Sequence, residues 1–151
     1  MKLKKRQRGR KILAMVIGAG MICLGGCGVK LGEEFKEEVN TLKGAGIQVS
    51  EDKASPVGIA IEIHNQSDKD LNYGQDYSIQ KEKDGRWYVV EPLSPVAVTM
   101  ELLWIPTGSE DAMEINWEDS YGKLPKGHYR IIKSFADEQK GYYLAGEFTI
   151  K

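Results

Sequence analysis

Apolar and polar positions alternate over most of the chain. Val57, Ile59, Ile61 and Ile63 interleave with Gly58, Ala60, Glu62 and His64, a period of two that predicts a half-buried strand. The stretch His64–Asp70 is turn chemistry. The runs Asp76–Lys83 and Arg86–Glu91 flank Asp84-Gly85. Both residues of that pair tolerate positive φ, so the pattern predicts a tight hairpin. Val96, Val98, Met100, Leu102 and Trp104 alternate again, and so do Met113, Ile115 and Trp117. Tyr129, Ile131 and Phe135 follow Gly127, and Tyr142, Leu144, Phe148 and Ile150 close the chain with Gly146 in register. Seven or eight short strands separated by turn signals predict an all-β fold, an antiparallel β-sandwich.

The first 26 residues follow another rule. Seven basic residues lie between Lys2 and Lys11, and Ile12–Leu24 is a run of 13 uncharged, mostly apolar residues. A basic region, an apolar region of this length and small residues before a cut describe a secretory signal peptide. Leu24-Gly25-Gly26-Cys27 resembles the lipobox of bacterial lipoproteins. That resemblance implies thioether lipidation of Cys27 and cleavage between Gly26 and Cys27. The competing reading is an uncleaved anchor helix, since Ile12–Val29 has 18 residues without a charge, the minimum for a span. Five glycines in that stretch make it a poor helix. Either way the basic end stays in the cytoplasm and the body lies outside, at the outer face of the cytoplasmic membrane.

Composition sharpens the picture. The 151 residues suffice for one domain, not two. With the seven leader cations set aside, 14 basic residues face 22 acidic ones, a net of −8 for residues 27–151. So acidic a body argues against nucleic acid as a partner. The only cysteines are Cys23, in the leader, and Cys27. The mature body therefore holds no disulfide and offers no thiol for catalysis or zinc. Residues 27–45 are expected to be an acidic tether. Phe35, Val39 and Leu42 fall at i, i+4 and i+7, which also fits one short helix ended by Gly44. Both readings stay open at this point. Fully extended, such a tether would reach roughly 60 Å, so the domain at 46–151 is expected to work near the membrane.

Leu124-Pro125-Lys126-Gly127-His128-Tyr129 resembles the tyrosine corner of Ig-like and fibronectin-type sandwiches, in which the phenol bonds back across the turn. Trp87, just after the hairpin, is then expected in the core with Trp117, Tyr129, Phe135 and Phe148. Asn72-Tyr73-Gly74, Tyr77–Lys81, Asp84–Tyr88, Ile115–Trp117, Tyr121–Ile131 and Gly146–Phe148 together resemble the bacterial Ig-like domains of Gram-positive (Firmicute) lipoproteins. The resemblance spans about residues 47–151. It implies an Ig-like β-sandwich at the cell surface and carries no catalytic residues with it.

Candidate chemistry is sparse. His64 and His128 are expected on opposite sheets, where they cannot share a metal. Asp68-Lys69-Asp70-Leu71-Asn72 has the rhythm of a calcium loop, but Gly74 comes one residue late and Ile79 stands where a bidentate Glu belongs. A polar turn is the better reading, with a weak Ca²⁺ site left open by the acidic body. Carboxylate pairs such as Glu51/Asp52, Glu118/Asp119 and Asp137/Glu138 sit in expected turns, where hydration favours solubility over acid–base work. Nucleophile elbow, S-x-x-K, P-loop and dinucleotide patterns are missing from the sequence. Tyr88, Tyr142 and Tyr143 include outward-facing residues by alternation, and an outward aromatic strip could stack on sugars or dock a protein. The expectation is a non-enzymatic surface lipoprotein, without metal or cofactor, binding a protein or an envelope ligand. The alternative is an accessory or sensing lipoprotein of a membrane complex, or an inhibitor of an envelope enzyme.

Overall fold

Two antiparallel sheets grow directly from the alternating pattern. The computed structural model describes residues 28–96 and 98–151. The leader, the Gly26–Cys27 cleavage point and Cys27 itself lie outside the described residues. The smaller sheet aligns β2 (Ala45–Val49), β3 (Gly58–Asn65) and β8 (Ser109–Asn116), with β3 in the middle. In the larger sheet, β10 (Gly141–Ile150) pairs with the whole of β9 (Gly127–Ala136) along one edge. The other edge of β9 is shared by β5 (Ser78–Lys83) and β4 (Leu71–Tyr73). Outside β5 lie β6 (Arg86–Val90) and then β1 (Leu31–Glu34), while β7 (Leu103–Ile105) lies outside β4. A single helical turn, α1 (Glu118–Tyr121), follows β8. The fold is an all-β Ig-like sandwich, with ten strands among the described residues rather than seven or eight. The surplus comes from the short strands β1, β2 and β4, for which the alternation gives no run.

The inward residues of both sheets meet in one core. Ile61 and Ile63 of β3, Ile79 of β5, Ile131 of β9 and Leu144 of β10 are fully enclosed. The Phe148 ring stacks on Tyr129 with centroids 5.8 Å apart and lies 5.7 Å from Trp117. Trp117 is completely buried, and its indole N–H donates to the carbonyl of Pro56 at 2.9 Å, as a buried indole requires. Asp84 (φ 54°) and Gly85 (φ 75°) make the β5–β6 hairpin turn in the left-handed region, the geometry that matches strand twist.

Three expectations need correction. Trp87 is not a core residue. It projects from the outer face of the larger sheet, where the Arg130 guanidinium lies 4.4 Å from its ring centroid and His128 packs 5.2 Å away. The strand expected over 96–104 forms only at Leu103–Ile105. Pro92 and Pro95 remove ladder donors, and the N–H groups of Leu93 and Ser94 both turn aside to the Ser120 carbonyl.

The third correction concerns residues 28–45, which are neither tether nor helix. β1 pairs with β6, Leu31 opposite Val90 and Glu34 opposite Tyr88. The chain then crosses the outer face of the larger sheet. The Phe35 N–H still bonds the Trp87 carbonyl on β6, whereas the Asn40 N–H bonds the Tyr143 carbonyl on β10. Asn40 adds two side-chain bonds to Ala145, accepting from its N–H at 2.9 Å and donating to its carbonyl at 3.2 Å. Under this strap the Arg130 guanidinium lies 5.6 Å from the Phe35 ring, and Phe35 meets Tyr143 edge-on at 5.4 Å. Leu42 then enters the core. A lone helix of this length is marginal, and edge pairing satisfies the same backbone groups while burying Phe35 and Leu42 on two different surfaces.

An ammonium group sits deep inside. Tyr73 faces Phe135 and Ser78 faces Ile132, so residues 74–77 bulge opposite Lys133 and Ser134. Lys133 lies on the inward register, 1% exposed. Its ammonium donates to the carbonyls of Gly74 (2.9 Å) and Asp76 (2.8 Å), which the broken ladder leaves free. Desolvation pushes its pKa down to about 8.

Candidate functional site

The tyrosine corner is a structural joint. Tyr129 is completely buried, and its hydroxyl donates to the Pro125 carbonyl at 2.7 Å. Burial pushes its pKa up to about 12. Leu124 is buried, and its N–H bonds the Pro56 carbonyl. A Cβ at Gly127 would stand 2.9 Å from Lys81 Cε and 3.2 Å from the Tyr129 ring. The turn is therefore packed from both sides.

The other candidates separate in space. His64 lies on β3 and His128 on β9, in different sheets. His128 is held between carboxylates, Glu82 at Nδ1 and Glu147 at Nε2. In the Asp68–Asn72 stretch, Asp70 accepts from the Thr107 N–H and Lys69 pairs with Asp137. Among the described residues no group of three or more His, Cys, Asp or Glu could hold a metal ion. Glu51 and Asp52 sit exposed in a 3-10 turn, and Glu118 and Asp119 sit exposed on α1. Asp137 departs from the expectation of a hydrated turn carboxylate, its side chain being 8% exposed. The N–H groups of Gln139 and Lys140 and the Tyr142 hydroxyl all donate to it. Those bonds, with Lys69, pull its pKa down to about 2, which makes it a fixed anion and the opposite of a proton donor.

The outward aromatic strip also differs from expectation. Tyr142 is buried and Tyr88 half-buried, whereas Tyr143 is exposed as expected, with its ring edge-on to Phe35. The open aromatic is Trp104 on β7, 61% exposed. Its register opposite Asn72 puts it on the outer face of the larger sheet, at the free edge. Trp104 is more open than Tyr143, and its indole borders a cleft of about 250 Å³ with Lys69, Asp70, Asp137, Glu138 and Gln139. The family model of the bacterial Ig-like domain matches residues 41–149. The chain belongs to that family. No curated protein and no solved structure matches it. The strands that carry the Trp104 cleft all lie within the matched range, whereas β1 and the strap up to Asn40 precede it.

Two further surfaces of this Ig-like domain stand out. The outer face of the smaller sheet has a floor of small residues, Gly58 and Ala60 against Glu114 and Asn116, in a shallow trough of about 450 Å³. The second surface is the chain between β6 and β7. Leu93 (78% exposed), Met100 (99%) and Leu102 (57%) project from it into solvent. Its inner side, with Val96, covers a cavity of about 320 Å³ next to Tyr77 and Ile115. Sequence alternation flagged Val98 to Trp104 as a strand and so hid their exposure. Their presentation depends on Pro92, Pro95 and the Ser120 contact, which alternation cannot show. Among the described residues no helix is long and apolar enough to cross a membrane.

Proposed function

We propose that this chain is an exported lipoprotein. Cys27 carries the lipid after cleavage behind Gly26, and the Ig-like domain is a non-enzymatic binding module at the outer face of the cytoplasmic membrane. Membership in the bacterial Ig-like family supports the binding role. Leu24-Gly25-Gly26-Cys27 at the end of a basic-then-apolar leader supports the anchor.

The observation that carries the binding role is Trp104. A flat indole exposed at a sheet edge stacks readily on a sugar ring or a protein side chain. Beside it, the Asp137 carboxylate is engaged by Gln139, Lys140, Tyr142 and Lys69. This fixes the turn, so the exposed Glu138 and Gln139 side chains are presented to the cleft on a backbone that need not first be ordered. The test replaces Trp104 with a photo-crosslinking phenylalanine analogue in the intact lipoprotein in its own membrane. A single dominant adduct, protein or envelope polymer, is expected. Diffuse labelling no stronger than that from a crosslinker at Glu62 rules the cleft out. The anchor is tested separately: Cys27→Ala should stay unprocessed and take up no labelled fatty acid.

A further inference from the structure

We infer that the loop between β6 and β7 lies in the interfacial layer of the bilayer, as a second membrane contact beside the lipid. The inference rests on the proposed lipidation of Cys27.

The position of the chain end carries it. Lys30 is fixed against the start of the loop: the Glu91 N–H bonds its carbonyl at 2.9 Å, and its ammonium pairs with the Glu91 carboxylate at 2.5 Å. Only Gly28 and Val29 separate Lys30 from Cys27, so the Cys27 backbone can reach no farther than roughly 10 Å from that of Lys30. A domain on a long tether could present any face to the membrane. A domain built in from β1 onward presents the side that holds Lys30 and Glu91.

That side carries the apolar loop. Leu93 is two residues past Glu91, and Pro92–Met100 holds no charged side chain in a chain that is 28% charged. Leu93, Val98, Met100 and Leu102 are all exposed. Single exposed apolar residues are ordinary, but four within ten residues, interrupted by the one charge of Glu101, mark a contact surface. The net charge of −8 on residues 27–151 disfavours anionic headgroups, Lys30 is already paired, and the exposed Lys123, next to the Gly122 that Leu93 approaches, is a single cation against that charge. The contact is therefore apolar insertion, insensitive to salt and to anionic lipid.

The test uses the processed lipoprotein in phosphatidylcholine vesicles. Met100→Cys and, as a control on the far edge of the larger sheet, Thr149→Cys each carry a polarity-sensitive fluorophore. Both sites are exposed, so neither substitution disturbs packing. Emission from position 100 should shift to the blue and resist quenching by aqueous iodide, while position 149 behaves as in water. The difference should persist at high salt and in vesicles containing phosphatidylglycerol. If position 100 quenches like position 149 in a chain that takes up labelled fatty acid, the loop contact is wrong and the anchor stands. A chain that takes up no fatty acid overturns both. Shielding of position 100 in native membranes but not in protein-free vesicles means that a protein covers the loop, and overturns the lipid contact.

Discussion

Residues 28–45 and 91–102 have exchanged the roles that their sequences suggest. The first stretch is acidic and sparsely apolar, and reads as a leash. In the structure it pairs with β6, crosses the outer face of the larger sheet and locks onto β10 through Asn40. The second stretch alternates like a buried strand, yet it leaves the sheet and exposes Met100 almost completely. Apolar spacing states which side chains can share a face. Whether a face is covered depends on free sheet edges, and those are set by residues far away in sequence.

The largest effect separates the two stretches directly. A chain beginning at Gly44 loses β1, the strap and Leu42. It should lose its cooperative melt, a cost of more than about 5 kcal/mol and comparable to the whole stability of a small domain. Replacing residues 94–101 by a short Gly-Ser link should leave urea unfolding nearly unchanged. Equal sensitivity of both segments would dissolve the contrast.

Tyr129 gives a yardstick for a residue of the core proper. Tyr129→Ala should cost about 3–5 kcal/mol through the cavity it leaves. Tyr129→Phe, which removes only the bond to Pro125, should cost about 1 kcal/mol. A Tyr129→Ala midpoint equal to wild type would remove the crossover joint from the argument.

Lys133 adds a pH-dependent scale between the two. Its folded pKa of about 8 lies below the ordinary 10.5, so the unfolded chain binds the extra proton between those values. Stability from this group should therefore rise with pH from about 8 to 10.5. Lys133→Met should abolish that rise while costing about 2 kcal/mol at neutral pH, because two bulge carbonyls lose their donor. An unchanged pH slope in the variant would refute the assignment. Above pH 10 the trend reverses through Tyr129, whose raised pKa of about 12 means the unfolded chain ionises first.

Smaller effects sharpen the contrast. Asn40→Ala removes the side-chain bonds to Ala145 and should cost about 1–2 kcal/mol. Met100→Ser should change the melt by less than about 0.5 kcal/mol. An Asn40 variant as innocuous as the Met100 variant would reduce the strap to a passive covering.

Much of the sandwich was legible from local signals. β3, the Asp84-Gly85 hairpin, β8, β9 and β10 carry their own period and turn chemistry, and Tyr129 carries its own turn. The N-terminal strand was not legible, because Leu31–Glu34 lacks alternation and its pairing is decided by the open edge of β6. The inward Lys133 contradicts its register and is explained only by the bulge at 74–77, a mismatch between two strands that neither sequence shows alone. Trp104 was visible as an aromatic but not as an exposed one. Its exposure follows from β7 being the last strand outside β4.

Asn40 has one more consequence. The outer edge of β10 is long and regular, the kind of border on which a second copy could add its own strand and start a growing ribbon. Its amide brackets Ala145, and its backbone takes the Tyr143 carbonyl, so groups an incoming strand would need are already in use. A residue in the left-handed conformation (φ 56°) cannot itself continue as a strand, so the edge ends there. The strap thus acts as a terminator against aggregation, and the Asn40→Ala chain should be the variant most prone to assemble edge to edge at high concentration.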